Sequence, residues 1–431
     1  MNKVVCFLLL LLSIVSVSAQ EQWDLAYCVK LGKENSYKVM VAAMEKQVAE
    51  RQKQSVVSYY IPNVSLNGGQ NYNFGSAIDP TTNTRVSSNI ATTQLSLDAS
   101  VDLFNWSNVI SYQLDQLAVS MAELSEKEVW FYYQNTILSS FFDIVGLQEY
   151  LEIQQEQLRN SEANYNRVLK EVEAGAKPKS DLYDIEYIYN SEKISIEVTE
   201  NSLDNKKLQF IHLLNIDTRE LGGFELVNKE ESMELFTDYT FNPLLEKLRL
   251  QNSVLYKDKQ QLKAQNLPRL TASYQYGSFY SKPFNSVVET QVYAFSKQLG
   301  DNKSHFVGIR LSIPVFQGGI VYRNVRKKNV EINLNSLKIK EKETELSNEN
   351  VQLEQEINQL NRLKDKLKKN IEMSSKSFVT TQVKYENGKV DIFSFNAAKN
   401  QLLNAQYALI KNSLSRQFLE KKLQLNNSNT L

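Results

Sequence analysis

Four segments of the chain alternate between apolar and polar residues with a period of two, a pattern that predicts β-strands. The predicted strands cover about 63–75, 92–104, 269–280 and 305–316. One face of the second strand is wholly apolar, and its members are Leu95, Leu97, Ala99, Val101 and Leu103. Strands of about ten residues with one apolar face are typical of transmembrane β-barrels. A half-buried sheet of a soluble protein has the same alternation and remains an alternative at this point.

Most of the remaining sequence has the pattern of long helices. They are predicted over 23–58, 105–173, 181–214, 241–266, 320–386 and 391–425. Gly32 is the expected point of a break in the first helix. The second and fifth helices would each be about 100 Å long at about 1.5 Å per residue. Because that length exceeds a globular core, they must pack side by side as a coiled coil or sheath. Polar loops at 76–89 and 281–304 join the strands in pairs.

The two halves of the sequence repeat each other. The segment VDLF at 101–104 recurs as IPVF at 313–316, and Gly175 recurs as Gly388 at nearly the same offset. A repeat this long indicates one duplicated architecture. Each half has the order helix, strand, strand, long helix, tight turn and returning helix. The predicted division is a first repeat at 20–218, an irregular segment at 219–240 and a second repeat at 241–431.

Composition and charge narrow the classes of function. The chain has 431 residues with 49 basic and 49 acidic side chains, so its formal net charge is zero, which argues against a nucleic-acid-binding protein. Residues 1–19 combine Lys3 with an apolar run and a small-residue ending. This combination predicts a signal peptide and export from the cytoplasm. A membrane anchor is the alternative for this segment.

The number of strands has a consequence for assembly. Four strands are fewer than the roughly eight that close a membrane barrel. An open sheet edge is not stable in lipid, so several chains must share one barrel. Two chains would give a barrel filled by side chains, whereas three would give twelve strands and leave room for a lumen.

Four features of the sequence carry a family likeness. They are the duplicated layout, the proline before the strands at 63 and 269, the Pro-x-Phe-x-Gly-Gly step at 314–319 and the two glycine turns. On these features the chain resembles the TolC-like family of outer-membrane efflux proteins over essentially its whole length after residue 19. The resemblance implies a homotrimer, mainly α with a small β part. Its shared twelve-strand barrel would cross the outer membrane of a Gram-negative bacterium, and its long α-helical barrel would extend into the periplasm.

The resemblance also implies a function and partners. Such a trimer is a passive exit duct of a tripartite efflux or type I secretion system. Its partners would be a periplasmic adaptor, an inner-membrane pump of the RND or ABC type and outer-membrane lipid. A periplasmic membrane-fusion adaptor and a non-catalytic coiled-coil envelope protein are the alternatives, although an adaptor usually has one helical hairpin instead of two.

Two sets of functional positions follow from the resemblance. The chain would change from β-barrel to α-barrel at Phe104 in the first repeat and at Pro314, Phe316, Gly318 and Gly319 in the second. The adaptor would contact the hairpin tips, which are Ala174, Gly175, Ala176, Asn387, Gly388 and Lys389. Glycines at the ends of long helices are also expected as helix C-caps, and the two roles are compatible.

A third set would form the constriction at the periplasmic entrance. It consists of Ser180, Asp181, Asp184, Tyr385 and Asp391. Similar proteins hold the entrance shut with hydrogen bonds among residues that match Ser180, Asp181 and Tyr385. Their arginine partner falls here at Val390, so that charged link is missing. Helix capping is the alternative role for Asp181 and Asp391.

Chemistry of other kinds has little support in the sequence. The two histidines, His212 and His305, lie far apart without ligand-like neighbours, so no metal site is predicted. A nucleophile with its base, a glycine-rich phosphate loop and a pair of catalytic carboxylates are not recognisable either. We therefore predict a protein that is not an enzyme and needs no cofactor.

Overall fold

The computed structural model of the chain describes residues 21–79, 83–87, 89–217, 224–229, 241–283 and 292–428. The predicted signal peptide at 1–19 and most of the predicted irregular segment at 219–240 lie outside the described residues. The chain divides into two compact units. The helical unit comprises Met1–Glu45, Glu123–Lys247 and Lys340–Leu431, and the sheet unit comprises Lys46–Ala122 and Leu248–Ile339.

The fold is mainly α-helical with a small β part, as predicted. The helices are α1 (Leu25–Asn35), α2 (Tyr37–Gln52), α3 (Trp106–Glu173), α4 (Lys179–Leu214), α5 (Pro243–Ala264), α6 (Phe295–Asp301), α7 (Ile320–Glu386) and α8 (Ile392–Ser428). The strands are β1 (Glu21–Trp23), β2 (Asn63–Asn73), β3 (Ser76–Asp79), β4 (Thr84–Ser87), β5 (Ile90–Asn105), β6 (Phe224–Leu226), β7 (Arg269–Pro283) and β8 (Ser304–Ser312). We call α3 with α4 the first hairpin and α7 with α8 the second hairpin.

The N-terminal helical segment is interrupted at a different place from the one predicted. The side chain of Asp24 caps α1 by accepting a hydrogen bond from the Tyr27 N–H at 2.9 Å. The helix continues through Gly32 and ends at Asn35, so the prediction of a break at Gly32 is wrong. A β-carbon at Gly32 would lie 2.7 Å from Ile137 Cδ1. The glycine therefore permits close packing of α1 on α3.

Four strands of the sheet unit form one antiparallel sheet in the order β2-β5-β7-β8. The segments predicted as polar loops contain further elements. Strands β3 and β4 pair as a short hairpin within 76–89, and α6 lies within 281–304. Gln298 of α6 is buried and bonds both the N–H and the C=O of Ser281, at 2.9 and 3.0 Å. These two bonds fix the longer connection against β7.

The segment predicted as irregular at 219–240 contains a strand. Within the helical unit, β6 pairs in parallel with β1. The ring of Trp23 stacks on Phe224 with centroids 4.4 Å apart. Both side chains belong to a buried apolar cluster with Phe141, Phe210 and Leu214. This cluster is the core between the first hairpin and the N-terminal segment.

A second apolar cluster of the helical unit lies toward the ends of the two hairpins. Its buried members are Val168, Ile185, Ile188, Phe378, Tyr385, Ile392, Phe395, Ala398 and Leu402. They come from all four hairpin helices, so this cluster packs the first hairpin against the second. In the described part of the chain, no helix has both the length and the apolarity that a membrane span requires.

Candidate functional site

The four-stranded sheet has one apolar face. Residues paired across an antiparallel sheet point to the same side, and the register aligns Val64, Ala99, Tyr274 and Val307 in one row across all four strands. Most of the large apolar side chains of this face are exposed in the chain, and Val307 is 77% exposed. The other exposed members include Val64, Leu66, Tyr72, Leu95, Leu97, Ile309 and Leu311. An exposed apolar surface of this extent marks a contact with lipid or with another protein.

The opposite face of the sheet is mostly polar and contains hydrogen bonds between side chains of different strands. The carboxylate of Asp98 accepts bonds from Asn67 on β2, at 2.7 Å, and from Gln275 on β7, at 2.5 Å. Asp102 accepts a bond from Arg269 at 2.9 Å. The bonds of Asp98 join three strands, and Asp102 is paired with the charge of Arg269. The two faces of the sheet therefore suit different environments, one apolar and one aqueous.

The change from strand to helix differs between the two repeats. In the first repeat, a bulge between Asp102 and Phe104 ends the regular pairing of β5, and α3 begins directly at Trp106. The bulge places Phe104 opposite Leu270 on the apolar face. Leu103, predicted to share that face, is the extra residue of the bulge. The predicted transition residue Phe104 thus lies between the bulge and Asn105, the last residue of the strand.

In the second repeat, β8 ends at Ser312, earlier than the predicted end at 316. Pro314 lacks the N–H that a continuing strand would donate, which accounts for the early end. Gly318 and Gly319 have positive φ angles of 60° and 71° immediately before α7. Phe316, between the proline and the glycines, is 86% exposed. Gly318 and Gly319, which tolerate left-handed backbone, therefore change the direction of the chain between β8 and α7.

The two hairpin tips have the same backbone turn. The Gly175 N–H bonds the C=O of Val172 at 3.0 Å and the Ala176 N–H bonds the C=O of Glu171 at 2.7 Å. In the second tip, Gly388 and Lys389 bond Tyr385 and Lys384 in the same pattern, at 3.0 and 2.8 Å. These are Schellman C-caps, and both glycines have the positive φ that the motif requires, 74° and 70°. The capping role of the glycines is therefore observed, and the tip residues Ala174, Asn387 and Lys389 are exposed around them.

Tyr385 is the buried centre of the predicted constriction. Its ring stacks on Phe395 with centroids 5.0 Å apart. The Arg167 guanidinium lies 5.2 Å and the Lys177 ammonium 4.8 Å from its ring centroid. Burial raises the pKa of Tyr385 to about 12, an increase that Arg167 opposes and the Asp181 charge reinforces. The stack joins the two helices of the second hairpin, and the two cation–π contacts join that hairpin to the first.

The carboxylates of the predicted constriction differ in their local roles. Asp391 caps α8 by accepting a hydrogen bond from the Ser394 N–H at 2.8 Å, and bonds from Ser394 hold its pKa below the usual range. Asp181 lies in the first turn of α4, whose N-cap is Pro178, so it does not cap that helix. Ser180 donates to Asp181 at 3.3 Å. Asp181 and Asp184 lie about one turn apart on α4 and are both partly exposed.

A role for Tyr385 was predicted from the sequence, but Arg167, Lys177 and Phe395, which contact its ring, were not named. Arg167 and Lys177 come from the first repeat, one before and one after the Gly175 turn, and Phe395 comes from α8. Arg167 and Lys177 occur in charged stretches where cations are common. Only the turn signal at Gly175, which brings the end of α3 back beside α4, could have indicated that these two cations meet.

The sequence matches the model of one known protein family. The family model described as outer membrane efflux protein matches residues 241–425, which lie within the second predicted repeat. No curated protein matches the sequence.

Solved structures match nearly the whole chain. The outer membrane protein VceC of Vibrio cholerae aligns with a TM-score of 0.78 at 13% identity, covering 93% of this chain and 95% of that protein. The CmeC outer membrane channel of Campylobacter jejuni aligns at 0.73 and 14% identity, covering 94% and 85%. The MtrE outer membrane channel of Neisseria gonorrhoeae aligns at 0.68 and 12% identity, covering 93% and 88%. The family match at 241–425 and the shared fold over nearly the whole chain together confirm its resemblance to the TolC-like outer-membrane efflux proteins.

Proposed function

We propose that this protein is the outer-membrane exit duct of a tripartite efflux or type I secretion system. The duct would conduct cargo passively from the periplasm to the outside. The observation that carries the proposal is the sheet, whose exposed apolar face backs a hydrogen-bonded polar face. Lipid outside and water inside would satisfy both faces. The TolC-like family likeness and the shared fold support the same function.

The duct would be a homotrimer. Strands β2 and β8 lie at the two edges of the sheet. Pairing of β8 of one copy with β2 of the next would leave no edge in lipid, and three copies would give twelve strands and a lumen. The long hairpins of the three copies would form the periplasmic α-barrel. The protein would accordingly be located in the outer membrane of a Gram-negative bacterium and reach into the periplasm.

The other partners would act at the periplasmic end. A periplasmic adaptor would contact the exposed tips at 174–176 and 387–389, and an inner-membrane pump of the RND or ABC type would supply the energy. Ser180, Asp181, Asp184 and Tyr385 would form the entrance constriction. The partial exposure of the Asp181 and Asp184 carboxylates supports this assignment. Asp391, whose oxygen is engaged in capping α8, would border the entrance.

Fractionation tests the proposed location of the duct, and cross-linking tests the pairing of strands between its chains. We expect the protein in the detergent-extracted outer membrane as a trimer. A cysteine at Ser65 in β2, combined in turn with cysteines along β8, should give disulfide-linked oligomers at one register. Ser100→Cys is the matched control, because β5 has neighbours on both sides within its own chain. Recovery of a soluble monomer from the periplasm would refute the proposal.

Adaptor docking needs a separate experiment. Lys389 is exposed at the second tip, whereas Lys177 is engaged with Tyr385 and Glu171. A photo-cross-linking residue at Lys389 should therefore capture a periplasmic protein in cells. The same probe at Lys282, at the far end of β7, is the control. Equal capture from both positions, or links between duct chains alone, would contradict docking at the tips.

A further inference from the structure

A lysine is buried where the two hairpins meet. Lys399 of α8 is 1% exposed. Its ammonium forms an ion pair with Glu192 of α4 and a hydrogen bond with the Ser161 hydroxyl of α3. The second hairpin thereby places a charge between both helices of the first hairpin. Neither the entrance residues discussed above nor the tips include this group.

The surroundings of Lys399 are a polar layer with apolar packing beside it. A cavity of about 290 Å³ adjoins the ion pair and is lined by Gln154, Gln157 and Glu192, among others. Within the described chain, the Oε1 atoms of Gln154 and Gln157 are buried without a protein partner. A cavity of this size and polarity has room for water. Phe395, Ala398 and Leu402, the neighbours of Lys399 along α8, belong instead to the apolar cluster.

Energetics argue against a purely stabilising role for this layer. The desolvation cost of two buried charges is comparable with their attraction, and well-packed apolar residues in their place are often as stable or more stable. Burial accordingly lowers the pKa of Lys399, and the charge of Glu192 acts against this decrease. An apolar interface, however, tolerates sliding of one helix along another. A single buried ion pair does not, because a shift of one turn leaves both charges unpaired.

We propose that the Lys399–Glu192 pair is a register lock that fixes the second hairpin against the first and so positions the tips at the duct entrance. Lys399 is then a positioning residue for the entrance constriction. The part of the inference that concerns the entrance rests on the proposed function. The lock itself is a property of the helical unit and is measurable without transport.

Spin-label distances test the lock. Cysteines at the exposed Lys179 and Lys389 report the separation of the tips in the purified protein carrying Cys6→Ser, diluted with unlabelled chains. The buried Cys28 would not react. Lys399→Met should broaden the distance distribution. Lys399→Glu combined with Glu192→Lys should restore a narrow one. Lys376→Met is the matched control, because Lys376 pairs with Glu372 on its own helix in an exposed ion pair.

Replacing the ion pair by two apolar residues distinguishes an effect on helix register from an effect on stability. Lys399→Met with Glu192→Leu should keep or raise the unfolding temperature yet leave the tip distances broad. In planar bilayers, the same variant should raise the open-to-closed ratio of the channel roughly 5-fold or more. A single narrow distance in this variant, equal to that of the wild type, would overturn the lock. Absence of conductance from wild-type protein would instead refute the duct, since the distances are measured independently.

Discussion

The ammonium of Lys177 lies 4.8 Å from the centre of the Tyr385 ring, so the turn of the first hairpin contacts the last turn of α7 in the second hairpin. Lys177 also pairs with Glu171 at 3.2 Å. Arg167 of the first repeat also lies over the Tyr385 ring, at 5.2 Å from its centroid, and the ring stacks on Phe395 of α8. The resemblance predicted that Tyr385 acts through its hydroxyl. Within one chain, the ring stacks on Phe395 and contacts Arg167 and Lys177.

This distinction predicts different effects for two substitutions. Tyr385→Ala removes the buried ring and should destabilise the helical unit by about 3 kcal/mol. Tyr385→Phe keeps the stacking and the cation contacts, and the loss should stay within about 1 kcal/mol. Denaturant unfolding followed by helical circular dichroism compares the two. Equal losses would show that the hydroxyl, and thus the hydrogen bond implied by the family likeness, matters more than the ring.

The raised pKa of Tyr385 predicts a pH dependence in the alkaline range. The phenol has an ordinary pKa of 10.0 and a folded-state pKa of about 12 because it is buried. The folded state therefore holds its proton more tightly, and this contribution to stability is complete below pH 10. It is lost as the pH rises toward 12. The wild type should lose stability across this range more steeply than Tyr385→Phe, and parallel curves would contradict the burial of the phenol.

Long elements and repeated turns were predictable from the sequence. Helix α7 has a continuous helical pattern, and Gly388 ends it where a left-handed residue is needed. The β2-β5-β7-β8 strands were predictable because their alternation spans many residues. By contrast, β1 and β6 have three residues each, too few for a periodic signal. Their pairing depends on the contact of Trp23 with Phe224, which no local pattern contains.

The candidate site was predictable only in part, because some of its residues act locally and others depend on contacts between distant helices. Glycine turns and capping residues act locally, so Gly175, Gly388 and Asp391 were recognisable from neighbouring residues. The partners of Tyr385 and Lys399 come from distant helices that meet only after folding. Lys399 has the sequence context of an ordinary helical lysine, between two alanines and an asparagine. Its burial follows from hairpin packing alone.

The two tip glycines should be equally intolerant of alanine. A β-carbon at Gly175 or Gly388 would meet no atom within 4 Å, so the cost is due to the positive φ alone. Each substitution should destabilise its tip by roughly 1–2 kcal/mol. Gly300→Ala in α6 is the control, because that site is also open and its φ is not left-handed. Hydrogen exchange at the tip amides measures the effect, and tolerance equal to that of Gly300 would argue against the Schellman caps.

The cap of α8 predicts a second, acidic pH dependence. Asp391 has a pKa below its usual 3.8, so its contribution is present above that pH and lost as the pH falls through the lowered value. Asp391→Asn should preserve the cap and abolish this dependence, since asparagine is an equally good N-cap. Asp391→Ala should increase exchange of the Ser394 amide at neutral pH. Unchanged exchange in Asp391→Ala would show that the observed 2.8 Å bond does not hold the helix start.

The proposed entrance carboxylates predict the ion selectivity of the channel. Asp181 and Asp184 are partly exposed on neighbouring turns of α4, and a trimer would bring three such pairs to its narrowest point. Clustered negative charge concentrates cations and repels anions, and salt weakens the effect because the Debye length is about 10 Å at 0.1 M. Wild-type channels should therefore prefer cations, most strongly at low salt.

Asp181→Ala with Asp184→Ala should reduce that preference, as measured by reversal potentials under a salt gradient. Glu197→Ala with Glu200→Ala is the matched control, since these exposed acids have the same spacing on α4 but lie farther from the tip. If both double variants keep the wild-type selectivity, the carboxylates at 181 and 184 are solvated at the helix start and do not line the pore.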